Sequence, residues 1–205
     1  MVYNLYKGKI KGDMKKLEFG TKEIIATVTA TILYVLFEGI QLSAVNSGGV
    51  PAVLYDYFKL RVLVTFLVAA MFGPIVGVIV AVGATMLVTV AFHGDVSIVE
   101  VAVYIICALV TGWYYDKYKV LEGGFTRQNI IVFNVIQLMM NVFCSLLFVP
   151  LLFFVFYKHD LLTDLVKGVE SAVGSIALVG LVGTGIMYVA STIVRKSKKR
   201  NVKTL

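Results

Sequence analysis

The chain has 205 residues, of which 59% are hydrophobic and only 15% are charged, and its formal net charge is +7. An ordinary soluble domain does not need so much apolar surface to fill its core, so the composition excludes that class and predicts an integral membrane protein. We interpret the positive charge as a signal of membrane topology and not of nucleic-acid binding.

Stretches of roughly 20 apolar residues separate the charged points of the chain, and this length crosses a hydrocarbon core of ~30 Å as an α-helix. The stretches are continuously apolar and not alternating, which predicts helices rather than a barrel. We therefore expect an all-α bundle of six transmembrane helices in residues 22–196, between a basic leader at 1–21 and a basic tail at 197–205. The predicted spans lie at about 22–42, 60–73, 75–92, 97–115, 129–156 and 171–194.

The first span begins with KEIIATVTATILYV at 22–35, where five of the first ten residues are Ala or Thr. Ala26 and Ala30 are four residues apart and so share one helix face. Small residues at this spacing let another backbone approach closely. The pattern fits close packing within the same chain, and it equally fits the docking of a partner protein.

The second and third spans follow each other almost without a loop. No charged residue occurs in 62–92, which is too long for one upright helix and short for two full crossings. Within FGPIVG at 72–77, Pro74 lacks a backbone donor, and Gly73 and Gly77 permit a tight reversal. We predict two short or tilted helices here.

Under this topology, 15 of the 19 Lys and Arg residues lie on one side of the membrane. The positive-inside rule then predicts that both termini are cytoplasmic. We expect the chain to reside in the plasma (inner) membrane of a bacterium. The leader and the tail are too short for a catalytic or nucleotide-binding domain, and the chain has no glycine-rich phosphate loop. We expect no enzymatic activity, no catalytic residues and no ATPase site of its own.

Polar residues within spans usually face a cavity or a neighbouring helix. Our candidates for substrate binding lie in the outer half of the predicted spans or in the outer loops. They are Glu38, Gln41, Asn46, Tyr55, Tyr57, His93, Glu100, Tyr104, Gln137, Asn141, Glu170 and Ser175. The first outer loop, 43–61, has the glycines and tyrosines of a lid, although an interfacial aromatic belt has the same composition.

Two further patterns leave alternatives open. Asn134, Gln137 and Asn141 put three amides on one helix face, where they can either join helices by hydrogen bonds or face a ligand. The cysteines, Cys107 and Cys144, have no spacing partner, so we expect buried free thiols and neither a disulfide nor a metal site.

Taken together, residues 22–196 resemble the S components of energy-coupling factor transporters. The resemblance rests on six spans in about 200 residues, on Ala26 and Ala30 in the first span, on the junction FGPIVGVIVAVGATM at 72–86 and on a glycine-rich last span. It implies a membrane-embedded protein that captures a vitamin or related micronutrient from outside, using the outer half of spans 4 to 6 and the first loop as a gate.

The resemblance also implies the partners. An S component docks on one transmembrane coupling protein and two cytoplasmic ATPases, topples in the membrane and releases its substrate inward, so that ATP is used by the partner subunits. Carried over to this chain, Ala26 and Ala30 match the small-residue motif that packs against the coupling protein. The long first loop and the FGP pattern look like members assigned to cobalamin or to less characterised vitamins, so the expected substrate is a corrinoid. The alternatives are a membrane sensor and a scaffold without transport activity.

Overall fold

The computed structural model describes residues 20–49, 59–93 and 98–203, and these residues are almost entirely helical. The helices are α1 (Thr21–Asn46), α2 (Leu60–Phe72), α3 (Pro74–Val88), α4 (Ile98–Trp113), α5 (Tyr115–Tyr118), α6 (Arg127–Phe143), α7 (Val149–Tyr157), α8 (Leu161–Ala177) and α9 (Thr184–Lys203). Three π-helical segments extend or join them, at Thr89–His93, Cys144–Phe148 and Leu178–Gly183. No strand occurs within the described ranges, so the all-α prediction is confirmed.

Several of these helices are long and apolar enough to cross a membrane. Four qualify outright, namely Thr21–Asn46, Pro74–Phe92, Arg127–Tyr157 and Leu161–Arg200. A fifth is obtained if Ile98–Trp113 and Tyr115–Glu122, bent by 44°, are counted as one span. The chain is therefore a membrane protein with four or five candidate spanning helices in its described part. The 13-residue α2 is only about 20 Å long, so a sixth full crossing remains a prediction.

The predicted reversal between the second and third spans is confirmed. Helix α2 ends at Phe72, and α3 begins at Pro74, so one residue joins them. That residue, Gly73, has φ of 94°, a conformation that favours glycine. Pro74 occupies the first turn of α3, where its missing N–H costs no helical hydrogen bond. Helix α4 crosses this turn so closely that a Cβ on Gly112 would overlap the Pro74 backbone.

The last predicted span, 171–194, begins too late. Helix α8 starts at Leu161 and continues through the Leu178–Gly183 segment into α9, which ends at Lys203. The start is set by Asp160, whose carboxylate accepts a hydrogen bond of 2.8 Å from the Thr163 amide and so caps the helix. The first turns of α8 contain charged residues, so an apolar run in the sequence begins later than the helix does.

Among the described residues, buried side chains form two core groups. One group joins α1 to α2 and α3 and contains Ala30, Tyr34, Val64 and Val80. Tyr34 also exchanges a hydrogen bond of 3.0 Å with Thr85 of α3. The other group joins α2, α4, α6, the Leu178–Gly183 segment and α9, with side chains such as Phe66, Cys107, Phe133, Val179 and Met187. Helices α6 to α9 thus pack around α2 and α4, and their ends frame the site below.

Candidate functional site

A cavity of about 280 Å³ lies where α2 and α4 begin and where the Cys144–Phe148 segment, α7 and α8 pack against them. We call this the cavity end of the bundle; the α2–α3 turn lies at the opposite end. The charged residues of the lining have both signs and are Lys59, Glu100, Asp164, Lys167 and Glu170. Its neutral polar residues are Tyr104, Asn141, Ser145, Ser171 and Ser175. The remainder is mostly apolar, as in small-molecule sites generally.

Helix α8 contributes one complete face to the cavity. Asp164, Gly168, Ser171 and Ser175 recur at intervals of four, three and four residues, which places them along one side of a helix. A Cβ on Gly168 would overlap the carbonyl oxygen of Ser145. The glycine therefore allows α8 to pack directly on the π-helical segment, and this contact closes one wall of the cavity.

A buried arginine organises the charges behind the opposite wall. Arg61 is 6% exposed, and its two terminal nitrogens contact the Glu100 carboxylate at 2.9 and 3.2 Å. A second carboxylate, that of Glu38, lies 3.8 Å from Arg61 and is 1% exposed. The guanidinium also lies 5.6 Å from the ring centre of Tyr104. Paired, hydrogen-bonded charges of this kind join α1, α2 and α4, and they orient Glu100 and Tyr104 at the cavity.

The three amides of α6 have different partners. Asn134 donates a hydrogen bond of 2.9 Å to the Thr184 hydroxyl, and Gln137 makes a longer contact of 3.5 Å with the Ile176 carbonyl. These two side chains therefore join α6 to the last two helices, as amides in lipid-embedded bundles often do. Asn141 donates to the side-chain oxygen of Gln137 at 3.0 Å and lines the cavity. Only the third amide of the stripe faces the candidate site.

One end of the α8 face is covered by an imidazole. His159 Nδ1 lies 3.4 Å from Asp164 Oδ2, and the imidazole stacks on Phe153 with an angle of 7° between the rings. Phe153 and Asp164 both line the cavity, and the Asp164 side chain is 10% exposed. The imidazole therefore contacts two cavity-lining residues on one side and is half exposed to the surroundings on the other.

Five of the predicted substrate-binding residues lie together at the cavity. They are Glu100, Tyr104, Asn141, Glu170 and Ser175. Glu38 and Gln137 are buried away from it and make structural contacts, with Arg61 and with Ile176 respectively. Neither residue belongs to the cavity lining, and their binding roles stay predictions.

The remaining candidates lie outside the lining or outside the described residues. Gln41 is half-buried and Asn46 is exposed on the last turns of α1, and neither lines the cavity. His93 ends the π-helical segment after α3, and its side chain is not among those described. Tyr55 and Tyr57 lie outside the described residues, as does the middle of the predicted lid, 50–58. For all five residues the binding role stays a prediction.

Several lining residues were not among the sequence candidates. Asp164 and Lys167 could have been found from the helical period of residues 161–175, had the helix start been placed correctly. Cys107 and Cys144 are free and buried, as predicted, but both also line the cavity. The sequence does not predict that they meet at the cavity, because they are 37 residues apart on separate helices.

The two alanines of α1 are not equivalent. Ala30 is 6% exposed and packs within the chain, in the group that joins α1 to α2 and α3. Ala30 is thus covered by the chain itself, and docking through it stays a prediction. Ala26 is half-buried, and Ile25 and Val28 beside it are 60% and 53% exposed. Docking through Ala26 stays a prediction.

Comparison with known proteins gives relatives at 28–29% identity. The chain is similar to UPF0397 proteins. A UPF0397 protein of Staphylococcus aureus (strain bovine RF122 / ET3-1) is 29% identical over 136 residues, which is 65% of this chain and 74% of that protein. A second, from strain Newman, is 28% identical over the same length. No protein-family model matches the chain, and no solved structure matches it at a significant level.

Proposed function

We propose that the chain is the substrate-binding membrane subunit of an energy-coupling factor transporter, and that it holds a vitamin or related micronutrient in the cavity. The observation that carries this proposal is the cavity itself, a pocket of about 280 Å³ that holds charged, amide and hydroxyl side chains at one end of an otherwise apolar helical bundle. Buried charges and amides are costly in a membrane, and they usually mark a ligand pathway. A scaffold has no use for such a pocket.

The distribution of charge supports an outward-facing cavity. Basic residues gather at the opposite end of the bundle, where Arg195 and Lys198 donate hydrogen bonds to the carbonyls of Gly123 and Glu122 at 3.2 and 3.0 Å. Basic residues concentrate on the cytoplasmic side of membrane proteins. The cavity end then faces the outside, as capture of an external nutrient requires.

The size of the cavity favours a compact ligand. A volume of about 280 Å³ is close to the lower limit of roughly 300–1,000 Å³ that is usual for small-molecule sites. A corrinoid with its nucleotide loop is far larger than this, so we propose a smaller vitamin or precursor. Amines from Lys59 and Lys167 and a carboxylate from Glu170 can bind a ligand that carries hydrogen-bonding groups of both polarities.

Transport would depend on partner subunits. ATP hydrolysis can drive uptake only if the docked, inward orientation binds the ligand more weakly than the free, outward one. The exposed apolar face of α1, with Ile24, Ile25 and Val28 beside Ala26, is continuous enough either to face lipid or to pack on a coupling protein. We propose that a transmembrane coupling protein and two ATPases bind the chain and that docking includes this face.

The proposal is tested by measuring thermal unfolding of the purified chain with a panel of vitamins and their precursors. A ligand at 100 times its Kd adds about 2.7 kcal/mol of stability, because it binds only the folded state. Ser171→Leu places a bulky side chain in the cavity and is expected to abolish the stabilisation. Val173→Leu is the matched control, because Val173 lies on the same helix and is 59% exposed. This variant should retain the stabilisation by ligand.

Two outcomes would contradict the proposal. If no compound near saturation raises the unfolding temperature, a sensor or scaffold without transport activity becomes the better interpretation. If Ser171→Leu and Val173→Leu respond equally to a ligand, that ligand binds elsewhere. Co-purification tests the partners separately: Ala26→Leu should release the coupling protein and the ATPases without changing the ligand response, and retention of all three would exclude docking through this face.

A further inference from the structure

The only two cysteines of the chain meet in the folded protein. Cys107 lies in the middle of α4, and Cys144 is the first residue of the π-helical segment that follows α6. Their sulfur atoms are 3.9 Å apart, and each residue is 3% exposed. Two thiols from different helices are therefore in direct contact, close to the distance from which a disulfide can form by small side-chain and backbone movements.

The cavity provides a route from the surface to this thiol pair. Both cysteines line it, together with the exposed Lys167 and the half-buried Glu170 and Ser171. A thiol sealed in an apolar core is inert, because neither water nor an oxidant reaches it. Here the same polar opening that admits a ligand also admits a small oxidant such as a peroxide.

We propose that Cys107 and Cys144 form a reversible dithiol–disulfide site in the wall of the cavity, with a peroxide as the oxidant. One thiol, as its thiolate, attacks hydrogen peroxide and the O–O bond breaks. The leaving hydroxide takes the thiol proton, so that a sulfenic acid and one water form. The second thiol displaces the hydroxyl group, so that an S–S bond and a second water result. The protein loses two electrons and two hydrogens, the peroxide is reduced to water, and a dithiol reductant reverses the reaction.

Oxidation would change the shape of the cavity. An S–S bond is about 2.05 Å long, so the sulfur atoms must approach each other by about 1.9 Å from their present 3.9 Å. The movement draws α4 towards the Cys144–Phe148 segment, a π-helical stretch of the kind that is frequent at functional sites. The site thus couples the redox state of the surroundings to the width of the pocket, and it does not depend on which ligand binds there.

The test uses the full chain, purified in detergent under reducing conditions and then treated with hydrogen peroxide. The intact mass and the number of thiols that react with a maleimide after denaturation are measured before and after treatment. We expect two labelled thiols before oxidation, none afterwards, a mass lower by two hydrogens, a monomer on a non-reducing gel, and recovery of both thiols with a dithiol reductant. Cys107→Ser and Cys144→Ser are the controls, and neither should lose two hydrogens.

Three results would overturn the proposal. Both thiols could stay reactive at a peroxide dose that fully oxidises glutathione added to the same sample, which would show that the cavity does not admit the oxidant. The oxidised chain could migrate as a disulfide-linked dimer, which would place the bond between chains. The thiols could also be lost with a gain of oxygen that the reductant does not reverse, which would mean that each sulfur is oxidised alone.

Discussion

Replacing Arg61 with methionine should destabilise the chain strongly, because it removes a buried cation that contacts two carboxylates. Arg61 contacts Glu100 at 2.9 and 3.2 Å and Glu38 at 3.8 Å. Breaking a buried ion pair from one side costs about 3–5 kcal/mol. The Glu100 side chain is 32% exposed and can recover part of its hydration, whereas that of Glu38 is 1% exposed and cannot. We therefore expect the variant to lose about 3–4 kcal/mol of unfolding free energy. For a chain of this length, this loss corresponds to a decrease of roughly 6–16 °C in unfolding temperature.

The assay is thermal unfolding of purified wild type and variants in one detergent, followed by circular dichroism. Lys196→Met removes an exposed cation and is the matched control, with an expected change within about 0.5 kcal/mol. The triple variant Arg61→Met, Glu38→Gln, Glu100→Gln should regain much of the loss, since it leaves no uncompensated charge. If Arg61→Met unfolds at the wild-type temperature, or if the triple variant is less stable than Arg61→Met, the charges do not stabilise each other as described.

Three further predictions concern the packing and the cap of helices. Gly112→Ala should lower the unfolding temperature or prevent folding, because the added methyl overlaps the α2–α3 turn. Gly83→Ala is the control, since a methyl there meets nothing within 4 Å. Equal effects of the two substitutions would contradict this packing. Asn134→Leu removes the hydrogen bond to Thr184 and should weaken the contact between α6 and α9. We expect faster amide hydrogen exchange in α9. Unchanged exchange would show that this hydrogen bond is dispensable. Hydrogen bonds from Thr163 lower the pKa of Asp160, so its contribution to stability is present above its unfolded pKa of about 3.9 and is lost as pH falls through the lower folded value. Asp160→Asn should accordingly weaken the decrease in unfolding temperature below about pH 4, and an identical pH profile would contradict the assignment.

The predictions from sequence succeeded where one local property decides the structure. The turn at Gly73 and Pro74 was located because a missing donor and a positive φ are chemical properties of those two residues. The sequence prediction places the start of the last span ten residues too late, because Asp160 and the charged residues after it have the composition of a loop between spans. A search for apolar length alone cannot recognise a helix whose charged face lines a cavity.

For the site, the sequence indicated that polar residues would be functional, but it could not separate structural from cavity-lining ones. Glu38 and Glu100 are both carboxylates near the ends of predicted spans, yet Glu38 is sealed against Arg61 and Glu100 reaches the cavity. Gln137 and Asn141 are four residues apart on one helix, and only Asn141 lines the pocket. The difference depends on which neighbouring helix covers each side chain, and a single helix does not contain that information.

Composition and apolar run length are sufficient to establish that this is an all-α membrane protein, because lipid leaves backbone hydrogen-bonding groups no partners outside a helix or a closed barrel. The cavity, the burial of Ala30 within the chain and the contact between Cys107 and Cys144 depend on how the helices pack. The lipid around the bundle is as apolar as the side chains that face it, so sequence hydrophobicity does not select which helix faces meet. Close contacts such as that of Gly168 with Ser145, and buried charges such as Arg61, make that selection in the folded protein.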